Sequence, residues 1–145
     1  MQKGQVSFYG GKVQGESIIP LDNAESFFEI GSISKLFTVN ILSKALIKNN
    51  IDTTATIDAF LPFPLHNHEK ITIESLANHT SGLPEYPFAI DIDENTQIDP
   101  LADFNESKLI QYLTKELTLI PSQKGSFLYS NLGYAILGYI LEQIE

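Results

Sequence analysis

Glu29-Ile30-Gly31-Ser32-Ile33-Ser34-Lys35-Leu36-Phe37-Thr38 leads, after Gly31, into a run without Gly or Pro that continues past Lys48. Within it, from Ile33 to about Lys48, apolar residues recur at helical rather than strand spacing, which predicts one helix of about four turns. Turning each residue by about 100° from Lys35 places Val39, Leu42 and Leu46 within about 40° of it. Asn40, Lys44 and Lys48 gather on the far side. Lys35 therefore shares the stripe expected to be buried, where a solubilising lysine would sit with Lys44. A lysine among apolar groups has its charged form disfavoured, so its pKa is expected to fall until it accepts a proton near neutral pH. Ser32, one turn earlier, is within reach of that amine. A serine three residues before such a lysine is one way a hydrolase builds a nucleophile beside its own base.

Ser-x-x-Lys is common by chance, and a bland reading stands beside the chemical one. Ser32 as an N-cap, with Lys35 running its ammonium past the helix end into water, fits the same residues. The two are compatible. A serine in the first turn also presents its backbone N–H at the positive end of the helix, the kind of donor that stabilises an oxyanion.

A second constellation is Phe127-Leu128-Tyr129-Ser130-Asn131, followed by the apolar run from Leu132 to Ile144. In an extended segment residues two apart point the same way, so Tyr129 and Asn131 are expected to face one cleft. A phenol relays a proton, and an amide both donates and accepts. Alternatively Tyr129 is an amphipathic edge residue and Asn131 caps the last helix. A third segment, Asn78-His79-Thr80-Ser81-Gly82-Leu83-Pro84, follows the short periodic stretch Ile71-Thr72-Ile73-Glu74-Ser75-Leu76-Ala77. Gly82 and Pro84 mark a tight turn and the segment reads as architecture. His79 is expected to satisfy backbone groups rather than to act as a base.

Together these segments resemble the serine β-lactamase and penicillin-binding protein superfamily, in its class C β-lactamase, D-Ala-D-Ala carboxypeptidase and esterase-like branch. Ser32-Ile33-Ser34-Lys35 matches the first motif, Tyr129-Ser130-Asn131 the Tyr-x-Asn second motif, and His79-Thr80-Ser81-Gly82-Leu83-Pro84 a flanking signature. Phe28-Glu29-Ile30-Gly31 and Asn131-Leu132-Gly133-Tyr134-Ala135-Ile136-Leu137-Gly138 extend the likeness. The resemblance implies that Ser32 is the acylated nucleophile, that Lys35 takes or holds its proton, that Tyr129 relays a proton to the leaving group and that Asn131 contacts a substrate amide. It implies no cofactor and no metal. The expected fold class is α+β: a mostly helical portion with a few short antiparallel strands and an incomplete sheet.

One departure from the family pattern is large. No Lys or His followed by x-Gly occurs after Tyr129, so the third motif, a Lys-Thr-Gly or His-x-Gly segment on a strand walling the cleft, is absent. In the family that strand supplies the second oxyanion donor, and losing such a donor costs about a hundredfold to a thousandfold in rate. The acidic ending Leu141-Glu142-Gln143-Ile144-Glu145 also has no Gly or Asn cap. Residues 1–145 are thus expected to be a partial domain that lacks the third-motif strand and the C-terminal part. The expected function is a serine hydrolase forming an acyl-enzyme on a β-lactam, a D-Ala-D-Ala peptide or a small ester, impaired in this chain. A non-catalytic relative or fragment that binds peptides or partner proteins is the alternative.

Composition sets the outer bounds. Hydrophobic residues make up 43% of the chain and its formal charge is -9, which fits a globular chain and argues against a nucleic-acid partner, because phosphate binding needs a basic surface. No apolar run is long enough to span a membrane, and the absence of cysteine excludes disulfides and thiolate metal sites. No signal peptide opens the sequence; the resemblance suggests an extracytoplasmic or periplasmic setting, and the compartment and oligomeric state are left open. The acidic stretch between Pro87 and Glu106 reads as a lid or specificity loop. Asp91-Ile92-Asp93-Glu94-Asn95 opens like a calcium loop, but Thr96 and Ala102 replace its glycine and glutamate. His66-Asn67-His68-Glu69 offers too few ligands for zinc and reads as surface. Gln5-Val6-Ser7-Phe8-Tyr9 and Gly10-Gly11-Lys12-Val13 suggest a strand and a turn. A helical turn is expected near Thr54 to Phe60. An amphipathic helix is expected from Glu106 to Leu117, with Leu109, Ile110, Leu113 and Leu117 inward, and a turn from Pro121 to Gly125.

Overall fold

The computed structural model describes residues 10–22, 25–87 and 104–144, with the side chain of His68 outside that description. The chain divides between Gly31 and Ser32 into two compact units. The first contains a two-stranded antiparallel hairpin, β1 (Gly11–Gln14) and β2 (Ser17–Pro20), with Val13 opposite Ile18. Of the turn expected over residues 10–13, Gly11 to Val13 are instead strand, and the chain reverses at Gly15-Glu16. Gly15 takes a φ of 61°, the conformation a two-residue hairpin loop with glycine first requires. The strand expected over residues 5–9 lies outside the described residues.

The second unit is helical. α1 (Ser34–Asn49) follows a 3-10 turn at Gly31–Ile33 and ends where Asn50 adopts a left-handed conformation, φ 53°. α2 (Ile73–Ala77) is short and starts from a reciprocal cap, in which Thr72 Oγ1 accepts from the Ser75 N–H and Ser75 Oγ from the Thr72 N–H. α3 (Glu106–Lys115) begins at Asn105, whose Oδ1 accepts from the Lys108 N–H, and buries Leu109, Tyr112 and Leu113, with Leu117 buried just beyond its end. α4 (Asn131–Ile144) is apolar almost all round, which predicts a helix enclosed by others. It is so placed, because α1, α2 and α3 all pack on it. Leu132, Ile136, Leu137 and Ile140 are buried there, and each such side chain stabilises the fold by about 1.5–3 kcal/mol. Among the described residues the architecture is therefore α+β, mostly helical with one small antiparallel sheet.

On α1 the expected stripe is half confirmed in its depth. Leu42 and Leu46 are buried together with Ala45, whereas Lys35 and Val39, nearer the N-terminus, are only partly covered. The far side is less polar than the wheel suggested: Leu36, Phe37 and Ile47 are exposed beside Lys44 and Lys48. No described helix is long and apolar enough to cross a membrane.

The loop His79–Pro84 fastens the start of α4. The His79 C=O accepts from the Leu128 N–H, the Thr80 C=O from Gly125, and the Gly82 C=O from Ile120 at 2.7 Å. Ser81, Gly82 and Leu83 are buried. Gly82 has φ 81°, and a Cβ there would lie 3.2 Å from the Ile120 carbonyl oxygen and 3.3 Å from Lys124 backbone atoms. His79 has φ 59°; its ring lies tilted between Tyr129 and Tyr134, with centroids 4.6 and 5.1 Å away, and Nδ1 accepts from the Ser130 N–H at 3.0 Å. Burial, and secondarily the Lys35 charge, hold its pKa below the ordinary 6.5, which preserves the acceptor.

Both features carry consequences for stability. Gly82→Ala puts a side chain on a left-handed backbone and a Cβ in tight contact with main-chain atoms, and is expected to lower unfolding free energy by more than about 1 kcal/mol in urea titration. For His79, the unfolded chain takes up a proton below pH 6.5 that the folded chain refuses, so stability is lost as pH falls from 6.5 through the depressed folded value. Melting temperatures across that range are expected to drop more steeply for the native protein than for His79→Asn, a residue that tolerates positive φ but does not titrate.

Candidate functional site

Four side chains from distant parts of the sequence meet at the N-terminal ends of α1 and α4. Ser32 lies in the 3-10 turn before α1, and its Oγ is 2.5 Å from the Tyr129 hydroxyl. The Lys35 ammonium donates to Ser32 Oγ at 3.3 Å and to Asn131 Oδ1 at 2.7 Å. It also stands over two aromatic faces, 5.0 Å from the centroid of Tyr129 and 5.4 Å from that of Tyr134. Ser32, Lys35, Tyr129 and Asn131 are thus brought into one contiguous cluster.

The local chain explains the convergence. Because α1 proper starts at Ser34, and Ile33 at its cap position makes no side-chain cap, Ser32 Oγ is left to face Tyr129 and Lys35. The N-cap alternative for Ser32 therefore does not describe this helix. Nor does Lys35 escape to water, since its nitrogen is engaged by Ser32, Asn131 and two rings. The surroundings expected from the helical wheel were apolar, and this point is corrected. The wheel located the Lys35 stem correctly, but the tip enters a cage of an amide oxygen, a hydroxyl and two aromatic faces contributed by residues 129–134.

The second constellation is not a strand. Residues 127–130 have no regular structure and Asn131 is already the first residue of α4. Its side chain does not cap the helix, because that bond is made by Ser130, whose Oγ accepts from the Gly133 N–H at 2.9 Å. Ser130 Oγ also donates to the Pro84 C=O at 2.7 Å, and the residue is 1% exposed. Tyr129 and Asn131 are therefore aimed by a capped helix start rather than by strand alternation.

The electrostatics favour a mobile proton on Tyr129. Bonding from Lys35, and next from Ser32, lowers the phenol's pKa below the ordinary tyrosine value, against the opposing effects of burial and, less, of the Glu85 charge. Tyr134 moves the other way, raised by burial and by the neighbouring Tyr129, and its hydroxyl donates to the Ala77 C=O at 3.0 Å. Two contributors carried no sequence signal as site residues. Glu85 Oε1 accepts from Asn131 Nδ2 at 3.3 Å, and Tyr134 supplies the second face over Lys35. Ser130 was detectable as a serine immediately preceding an apolar helical run.

Among the described residues, no group of three or more His, Asp or Glu side chains is placed to hold a metal ion. The calcium-like segment from Asp91 to Asn95 and most of the acidic stretch between Pro87 and Glu106 lie outside the described residues.

Comparison with known proteins bears on this geometry. The model of the beta-lactamase family matches residues 2–145. A beta-lactamase of Providencia stuartii is 29% identical over 138 residues, 94% of this chain and 32% of that protein. A penicillin-binding protein of Bacillus subtilis (strain 168) is 32% identical over 122 residues, 81% of this chain and 25% of that protein. A putative D-alanyl-D-alanine carboxypeptidase of Salmonella agona (strain SL483) is 24% identical over 148 residues, 94% of this chain and 33% of that protein. The chain thus spans a third or less of the length of these relatives. No solved structure matches significantly. With a family model that runs through both halves of the Ser32–Tyr129 cluster, this chain belongs to the beta-lactamase family, the hydrolase superfamily of β-lactamases, penicillin-binding proteins and D-alanyl-D-alanine carboxypeptidases.

Proposed function

We propose that Ser32 is the nucleophile of an acyl-transfer hydrolase acting on an amide or ester carbonyl, with β-lactams, D-Ala-D-Ala peptides and small esters as the compatible substrate classes. The observation that carries the reading is the pair of contacts on one oxygen: Ser32 Oγ bonds both the Tyr129 hydroxyl at 2.5 Å and the Lys35 amine nitrogen at 3.3 Å. A serine hydroxyl is a weak nucleophile until a neighbour takes its proton, and both candidates are already in hydrogen-bond reach.

In the proposed sequence Ser32 Oγ attacks the carbonyl carbon while its proton passes into the Lys35–Tyr129 pair. These groups are coupled, so the proton belongs to the pair rather than to one residue. The carbonyl oxygen gains negative charge and is met by the Ser32 backbone N–H at the positive end of α1. Collapse breaks the bond to the leaving amine or alcohol, which takes a proton from Tyr129. Water then attacks the ester carbonyl on Ser32 as the pair takes its proton, the acyl–Oγ bond breaks to release the acid, and the pair returns that proton to Ser32 Oγ. Asn131 holds Lys35 through Oδ1 and gives one N–H of its Nδ2 to Glu85 Oε1; the second N–H is the donor for which a substrate amide carbonyl is the matching acceptor.

Support also comes from the family assignment, since the relatives matched are named for β-lactam and D-alanyl peptide chemistry. With Ser32 as one oxyanion donor and no Lys-Thr-Gly or His-x-Gly segment in the chain, turnover is expected to be slow, and acylation of Ser32 is the sensitive readout.

Incubation with a fluorescent penicillin and with an activated ester is expected to leave a mass adduct on the peptide containing Ser32, absent in Ser32→Ala. Lys35→Met is expected to acylate about a hundredfold more slowly or worse. A folded native sample that forms no adduct with either probe would count against the enzyme and favour a non-catalytic peptide-binding relative. Independently, ultraviolet titration is expected to find one tyrosine ionising below the ordinary value of 10.0, and Tyr129→Phe is expected to remove that step.

A further inference from the structure

Asn131 lies between two groups of opposite hydrogen-bonding character. Lys35 Nζ donates to its Oδ1 at 2.7 Å, and its own Nδ2 donates to Glu85 Oε1 at 3.3 Å. A lysine ammonium has no acceptor and a carboxylate has no donor, so only one of the two flips of this amide satisfies both neighbours. Glu85 is itself held where the chain needs it. Its C=O accepts from the Leu132 N–H at 3.0 Å, and the adjacent Pro84 C=O accepts from Ser130 Oγ at 2.7 Å. The carboxylate is thus carried on backbone bolted to the first turn of α4.

We propose that Glu85 is a positioning residue: by accepting from Asn131 Nδ2 it keeps Oδ1 turned toward Lys35, and so keeps the lysine nitrogen beside Ser32. The inference rests on the acyl-transfer reading for its kinetic consequence, though the orientation of Asn131 does not. While Lys35 carries its charge, it selects Oδ1 without help. Once the nitrogen has given up a proton it has a lone pair, and the amide's NH2 becomes an equally acceptable neighbour. At that stage of the cycle Glu85 is what still distinguishes the two faces of the amide. A flipped Asn131 would compete with Ser32 for the lysine lone pair when the serine proton has to be taken. Glu85 is exposed, so water competes for its carboxylate and the effect is moderate.

The test compares the native protein with Glu85→Ala and Glu85→Gln, reading the acylation rate of Ser32 by the activated ester and the side-chain amide resonances of Asn131 by NMR. Glu85→Ala is expected to acylate about tenfold more slowly, with the half-saturating ester concentration little changed, because positioning rather than binding is lost. Glu85→Gln, which keeps an acceptor oxygen at the same reach, is expected to recover most of that rate. The Asn131 amide protons are expected to be protected from exchange in the native protein and to lose protection in Glu85→Ala. Should the native protein form no adduct, the acyl-transfer reading fails, and the Asn131 resonances alone then decide whether Glu85 orients the amide. Asn131 resonances and exchange unchanged by Glu85→Ala, native acylation rates in that variant, or a Glu85→Gln variant as slow as Glu85→Ala would each overturn the proposal.

Discussion

Ser130 is the joint on which the rest of the structure depends. It is buried, and each of its polar atoms that faces the interior is matched: the N–H by His79 Nδ1, the hydroxyl proton by the Pro84 C=O, and an oxygen lone pair by the Gly133 N–H. An unmatched polar group at such depth costs about 1–3 kcal/mol, so the three bonds specify one geometry rather than merely permitting it. They tie the His79–Pro84 loop to the first turn of α4. The residues on either side of Ser130 are Tyr129 and Asn131, and holding the middle residue aims both neighbours at α1.

The same joint accounts for the position of the loop. Gly82 takes a left-handed φ and a backbone approach that is tight for any Cβ, which lets the loop close on Ile120 and Lys124. His79 fills the space between two tyrosines and offers a lone pair, a task that requires the neutral ring, and burial supplies the bias toward neutrality. What resembles a catalytic histidine in the sequence is therefore part of the mounting. The polar groups are arranged in a line across this mounting: Glu85, Asn131, Lys35, Ser32 and Tyr129, each in contact with the next. Within that line, charge on one member alters proton affinity on the others, as the opposing effects of Lys35 and Glu85 on Tyr129 show.

Local patterns and long-range packing divided the sequence reading at identifiable points. The spacing of Leu42 and Leu46 located the buried face of α1, and the spacing of Leu109, Leu113 and Leu117 that of α3, because a helix repeats its faces at short range. The hairpin turn was displaced, since Gly10-Gly11 and Gly15 are equally good turn residues and only strand pairing distinguishes them. Tyr129 and Asn131 were read as strand neighbours and are instead a loop residue and a helix start. Their shared direction was right and its cause was wrong, because the cap that ends the loop belongs to Ser130.

By itself the sequence determined the helices, the apolar stripe that carries Lys35, and the family, since these depend on residue types at fixed short spacings and on motif order. Only the tertiary structure decided what surrounds the lysine nitrogen. The ring faces of Tyr129 and Tyr134, the oxygen of Asn131 and, behind it, the carboxylate of Glu85 come from parts of the chain with no periodic relation to α1. Contacts between such distant segments depend on how α4 docks against α1 and on the bonds at Ser130, and no local pattern in the sequence encodes a distance across that packing.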